Sequence, residues 1–243
     1  MTEQENGNPR RTFLIQVAKA AGAGSLAAVV ANETVAAPAP SIEQPSASPA
    51  PYESLSPDEA SFVEALVNVM CPADEHSPNG VDCGLATYID RQLAGPYGKG
   101  AGRYQRGPFR SGKPELGLQL PLTPEEFCKA GIAAADAACV EGRGKAFAAL
   151  TPAEADAFIK TTILEDHVKS DGISLAQWFN EVVYPLFVEA CFADPMYGGN
   201  RNAVFWRMIG YPGLPATHTL DMTRYRGKPY PGAKNPKSIA DFT

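Results

Sequence analysis

One helix-start signal occurs three times in this chain. Ser56-Pro57-Asp58-Glu59, Thr123-Pro124-Glu125-Glu126 and Thr151-Pro152-Ala153-Glu154 each place a hydroxyl at the N-cap, proline at the first helical position and glutamate at the third. The hydroxyl accepts from a free N–H of the first turn, the glutamate reaches back to the cap, and proline lacks only an N–H that would have no partner there. Helical spacing follows the first signal (Phe62, Val63, Leu66, Val67, Met70) and the third (Phe158, Ile159, Ile163), while Pro72 stops the first run. Cys128 and Cys139 fall on one predicted helix after the second signal. Leu85, Tyr88, Ile89 and Leu93 predict a helix near 82–94. Leu175, Trp178, Phe179, Val182, Leu186 and Phe187 predict another over 174–193, kinked at Pro185. A short helix is expected at 203–209. No run alternates strictly over five residues, so strands are few. The reading is an all-α, irregular multi-helix domain over 55–210, with long Gly/Pro-rich loops and an extended C-terminal tail over 211–243.

Charge narrows the function classes. The 243 residues carry a formal net charge of −6, without the basic excess of a dedicated nucleic-acid binder, so no nucleic-acid partner is expected. The 22 Gly and 22 Pro gather in a linker over 38–54, in the 95–122 loop and in the tail. The loop carries Tyr97, Tyr104 and Phe109. The tail carries Tyr211, Tyr225, Tyr230 and Phe242 with Arg224 and Arg226. Aromatics and arginines in long loops suit contact with another surface; the competing reading is disorder.

Residues 1–37 resemble a twin-arginine export signal. Arg10 and Arg11 are followed by Thr12, Phe13 and Leu14, then by a weakly apolar stretch from Ala20 to Ala31. The competing reading is an ordinary apolar helix behind two arginines. An export signal of this kind implies a periplasmic location, the twin-arginine translocase as a partner, and cargo that crosses already folded.

The chemistry-bearing patterns are sparse. No strand–GxGxxG–helix unit, C-x-x-C pair or C-x-x-C-H motif is present, so no cofactor is expected in this chain. Asp74-Glu75-His76 with Asp82 reads as a polar turn, His167 as a solvated helix end, and no catalytic or metal-binding residue is singled out. Of five cysteines at least one cannot pair within the chain. Cys71 and Cys83 flank the 72–82 turn, where a disulfide would staple the first two helices. Cys128 and Cys139 lie roughly 16 Å apart along their helix, too far to bond. Cys191 is either buried or available to a partner chain.

Asp194-Pro195-Met196-Tyr197-Gly198-Gly199-Asn200-Arg201, leading to Trp206-Arg207-Met208-Ile209-Gly210-Tyr211-Pro212-Gly213, resembles the signature of the small (gamma) subunit of membrane-bound gluconate 2-dehydrogenase. Pro72-Ala73-Asp74, Tyr88-Ile89-Asp90, Leu93 through Gly98, and Gln105 through Phe109 resemble further segments of that family, in order. The resemblance covers about 55–235; the cysteines depart from it. It implies a non-catalytic subunit that carries the export signal and escorts a flavoprotein large subunit. FAD and haem c would then reside in partner subunits, the flavoprotein and a multi-haem cytochrome c. The complex would sit in the periplasm, peripheral to the cytoplasmic membrane. The alternative is a stand-alone periplasmic module that binds a sugar or sugar acid on the 95–110 aromatics.

The signature also has a physical reading of its own. Tyr197-Gly198-Gly199-Asn200 needs backbone angles open to Gly and tolerable for Asn. It reads as a structural buckle, as a docking surface for the flavoprotein, or as both. On the docking reading the interface comprises Tyr97, Tyr104, Phe109, Asp194, Tyr197, Gly198, Gly199, Asn200, Arg201, Trp206, Arg224 and Arg226. Residues 38–200 hold 11 basic and 22 acidic residues, whereas 201–243 hold seven and two. The basic tail is therefore expected either to strap across another acidic protein or to fold back on its own acidic body.

Overall fold

The computed structural model describes residues 52–104, 106–110, 120–165, 169–170, 173–214 and 218–243. The export-signal residues Arg10, Arg11, Phe13 and Leu14, nearly all of the linker, and His167 lie outside the described residues.

All three start signals build helices as expected. Ser56, Thr123 and Thr151 each form a complete capping box ahead of α1 (Pro57–Met70), α3 (Pro124–Arg143) and α4 (Pro152–Phe158). Between the first two lies α2 (Leu85–Ala94), which starts from Gly84 in the left-handed region. The fourth helix runs on through a π turn over Ile159–Ile163. A two-residue hairpin follows, pairing Lys169 with Ser174 and Ser170 with Ile173.

The kink expected at Pro185 takes the form of a widened turn. α5 (Leu175–Trp178) passes through a π turn over Phe179–Val183 into α6 (Tyr184–Phe192). Proline has no N–H for the helical ladder, and its ring would strike the carbonyl four residues back. The wider turn just before it accommodates both constraints without ending the helix. α7 (Val204–Ile209) is the short helix expected at 203–209.

The core is aromatic at its centre. Phe147, from a 3-10 turn after α3, lies 4.6 Å from Phe62 of α1 and 5.8 Å from Phe158 of α4, ring centre to ring centre. The indole of Trp178 meets Phe62 edge-on at 6.2 Å. Trp178 lies directly over Gly131 of α3, and its indole N–H donates to the Cys128 carbonyl at 3.1 Å. Only glycine leaves room for a ring there, so α3 and α5 approach closely.

The entry to the domain is fixed by one buried carboxylate. Asp90 of α2 is 2% exposed. It accepts from the backbone N–H groups of Glu53, Ser54 and Leu55 at 2.8, 2.9 and 2.9 Å. Glu125 of α3 supports the same segment, accepting from the Ser54 hydroxyl at 2.7 Å and pairing with Lys99 and Lys129. The hydrogen bonds from Lys99, and then from Ser54, hold the Glu125 carboxyl at a pKa of about 2.

The Gly/Pro-rich loop is partly built into this framework. Gly98 N–H donates to Gln92 O at 3.0 Å, and Glu125 N–H donates to Gly98 O at 3.1 Å. Residues 96–101 thus bridge the end of α2 and the start of α3, and the aromatics beyond them stay exposed.

Candidate functional site

The signature segment folds into a buckle between α6 and α7. Asp194 caps a 3-10 turn over Pro195–Tyr197, accepting from Met196 N–H at 3.0 Å. Gly198 turns the chain at φ +102°. Its carbonyl lies where a Cβ on Gly84 would stand, at 2.2 Å, so the buckle seats directly on the start of α2. Gly199 is equally confined, since an added Cβ would fall 2.5 Å from the Ala190 carbonyl of α6.

Asn200 is the pin of the buckle. It is fully buried at φ +44°, its amide group donates to Ala193 O at 3.1 Å, and its side-chain oxygen accepts from Phe205 N–H at 2.9 Å. A short side chain that bonds locally is what makes this left-handed position tolerable. Arg201 then donates through its backbone N–H to Cys83 O at 3.0 Å and through its guanidinium to the Thr87 hydroxyl at 3.1 Å. Trp206 is buried, donates to Phe192 O at 2.8 Å, and meets Tyr211 edge-on at 5.0 Å.

The tail is not extended throughout. It contains α8 (Thr219–Arg224), and Tyr230 packs against His218 and Tyr225 while donating to Asp221 at 3.2 Å. Its end returns to the buckle. Gly213 at φ +72° pairs in parallel with Lys237, with Leu214 N–H donating to Lys237 O at 2.7 Å and Lys237 N–H to Pro212 O at 3.0 Å. Ser238 then donates from its hydroxyl to Asp194 at 2.6 Å, and Ile239 from its backbone N–H at 2.9 Å. For residues 237–241 the tail therefore folds back on its own chain, because Asp194 has acceptor capacity left after capping its own turn.

These contacts sort the expected interface residues. Gly199, Asn200 and Trp206 are buried inside this chain and form no part of its surface, a correction imposed by the packing of the buckle on α2 and α6. Asp194 is engaged by its own tail. Tyr97, Tyr104, Phe109, Tyr197, Arg201, Arg224 and Arg226 are exposed, and Gly198 is partly so. Asp90 figured in the sequence only as part of a family segment, with no role of its own, and Gly84 not at all. The return of the tail did have a local signal, the Ser238-x-x-Asp241 capping box.

The cysteines fall into two groups. All five are buried thiols in this structure, so the bridge between Cys71 and Cys83 is not formed in it. Burial pushes Cys128 up to about 12 and raises Cys139 and Cys191. Cys71 and Cys83 differ, since both thiols converge on one acceptor, the Pro78 carbonyl, at 3.9 and 3.5 Å. The interaction of the two thiols favours the Cys71 thiolate and disfavours ionisation of Cys83. We propose that this pair closes to a disulfide in an oxidising compartment. The Cys71 thiolate would attack an oxidant disulfide, and Cys83 would resolve the mixed disulfide, releasing the oxidant as a dithiol. Titration under denaturing, non-reducing conditions should then find three free thiols rather than the five in the sequence. Five after oxidation would end the proposal.

The family model for gluconate 2-dehydrogenase subunit 3 matches residues 57–213, from the first residue of α1 to the glycine that meets the tail. The chain belongs to this family, which implies membership of a multi-subunit gluconate dehydrogenase complex. Searches of curated proteins and of solved structures returned no match.

Proposed function

We propose that this chain is the non-catalytic small subunit of a periplasmic, FAD-dependent gluconate 2-dehydrogenase complex. It carries the export signal and escorts the folded flavoprotein subunit, while FAD and haem c belong to the partner chains. Family membership over 57–213 is the observation that carries the reading. The adjacent arginines at 10 and 11 supply a route for a partner that must cross with its flavin already in place. The exposed aromatics Tyr97 and Tyr197, on short turns fixed to α2 and α6, supply apolar surface that holds its shape before a partner arrives.

The test is the double substitution Arg10→Lys with Arg11→Lys in cells that express the whole complex. Both this chain and the flavoprotein are expected to remain in the cytoplasm, with periplasmic gluconate-oxidising activity abolished. Normal periplasmic activity in the double variant would remove the escort role.

A further inference from the structure

Between the buckle and the returning tail runs an open cleft of about 640 Å3. Met196, Asn202 and Arg207 line one side; Asn235, Lys237 and Asp241 line the other. The two walls are joined through Asp194 and through the pairing of Gly213 with Lys237, so the cleft exists only because the tail folds back.

Its charges are unequal in availability. Asp194 accepts from Met196, Ser238 and Ile239, and Asp241 accepts from Ser238 N–H at 2.8 Å within its own capping box. Among the described residues, by contrast, neither the Arg207 guanidinium nor the Lys237 ammonium has a hydrogen-bond or ion-pair partner. Asn202 and Asn235 add amide groups beside them. The wall is also strained. Asn202 at φ +57° and Ala203 at φ +52° are both left-handed, a conformation costly for alanine, and such strain gathers where a surface is shaped for contact. Apolar surface is exposed in the wall itself, at Met196, which is 45% exposed.

We infer that this cleft is the seat of an acidic, extended segment of the flavoprotein subunit. Two unpaired cations with flanking amides accept carboxylates, and the exposed Met196 beside them gives a macromolecular segment apolar surface to cover. The two cations outnumber Asp241, the one carboxylate that lines the cleft, so its lining favours an acidic segment over a basic one. The inference rests on the proposed function, because the occupant belongs to the flavoprotein.

The experiment uses the full chain co-expressed with its flavoprotein, and measures affinity at low and high salt. Arg207→Glu with Lys237→Glu is expected to weaken the complex at least about tenfold, and salt is expected to weaken the wild-type complex but not the residual binding of the variant. Both side chains are exposed and Lys237 pairs with the buckle through its backbone, so the melting temperature should hold. The milder Arg207→Gln with Lys237→Gln pair tests the same point if the reversed charges disturb folding. Wild-type affinity in a folded double variant, or association insensitive to salt, overturns this inference alone. Failure of the wild-type chain to bind the flavoprotein overturns the proposed function with it. Saturable gluconate binding that the variant abolishes, with the complex intact, overturns it in favour of a small-carboxylate site.

Discussion

Asp90→Ala is expected to destabilise the domain by about 3 kcal/mol, read as a fall in the urea midpoint with an unchanged slope. The reasoning is a hydrogen-bond account. Three backbone N–H groups converge on one carboxylate, and the last of them, on Leu55, sits in a residue only 6% exposed. Removing the acceptor leaves donors that water reaches poorly, and each buried donor left unsatisfied costs about 1–3 kcal/mol. The first two donors are nearer to solvent and recover part of their loss, which keeps the total near the middle of the range. Asp90→Asn should cost less. It retains one oxygen, and Oδ1 alone serves two of the three donors. A loss below about 1 kcal/mol in the alanine variant would show that residues 53–55 are held by something other than this carboxylate.

Gly131→Ala is the second large effect, and it runs against helix propensity. Alanine for glycine inside a helix ordinarily gains about 1 kcal/mol. Here the added Cβ would stand 2.1 Å from Trp178 Cδ1 and 2.3 Å from its Cγ. Trp178 is fully buried, bounded by Phe62 and tied to the Cys128 carbonyl, so the ring cannot swing aside. Overpacking a core of this kind costs about 1–3 kcal/mol and sometimes more, so a net loss of about 2 kcal/mol is expected. A cycle with Trp178→Phe isolates the contact. The double variant should be more stable than the sum of the two single losses predicts, because the smaller ring makes room for the methyl. Strict additivity would mean that the Gly131–Trp178 contact is not where the cost arises.

Local features of the fold were legible because they are local in energy. A capping box is complete within four residues, and all three formed as the sequence indicated. Pro185 announced a perturbed helix, although only the structure shows that a π turn absorbs it. The buckle was legible as a turn from its glycines and Asn200, but not as a clamp. What seats it is the approach of Gly198 O to Gly84, more than a hundred positions earlier in the chain, and no local pattern encodes that distance. For the same reason Asn200 and Trp206 looked like surface contacts. Amide and indole groups suit interfaces and buried hydrogen-bonded sites equally, and only their partners, Ala193, Phe205 and Phe192, decide which.

By itself the sequence determined the helical class, the three helix starts, the family signature and the contrast between an acidic body and a basic tail, since each of these rests on neighbouring residues or on plain composition. The tertiary structure alone decided three further points. Cys191 faces the core. Ser238 and Ile239 of the tail bond back to Asp194. Arg207 and Lys237, thirty positions apart, line one cleft without partners among the described residues. Each depends on which groups remain unsatisfied once the helices have packed, a quantity that does not exist until distant segments meet.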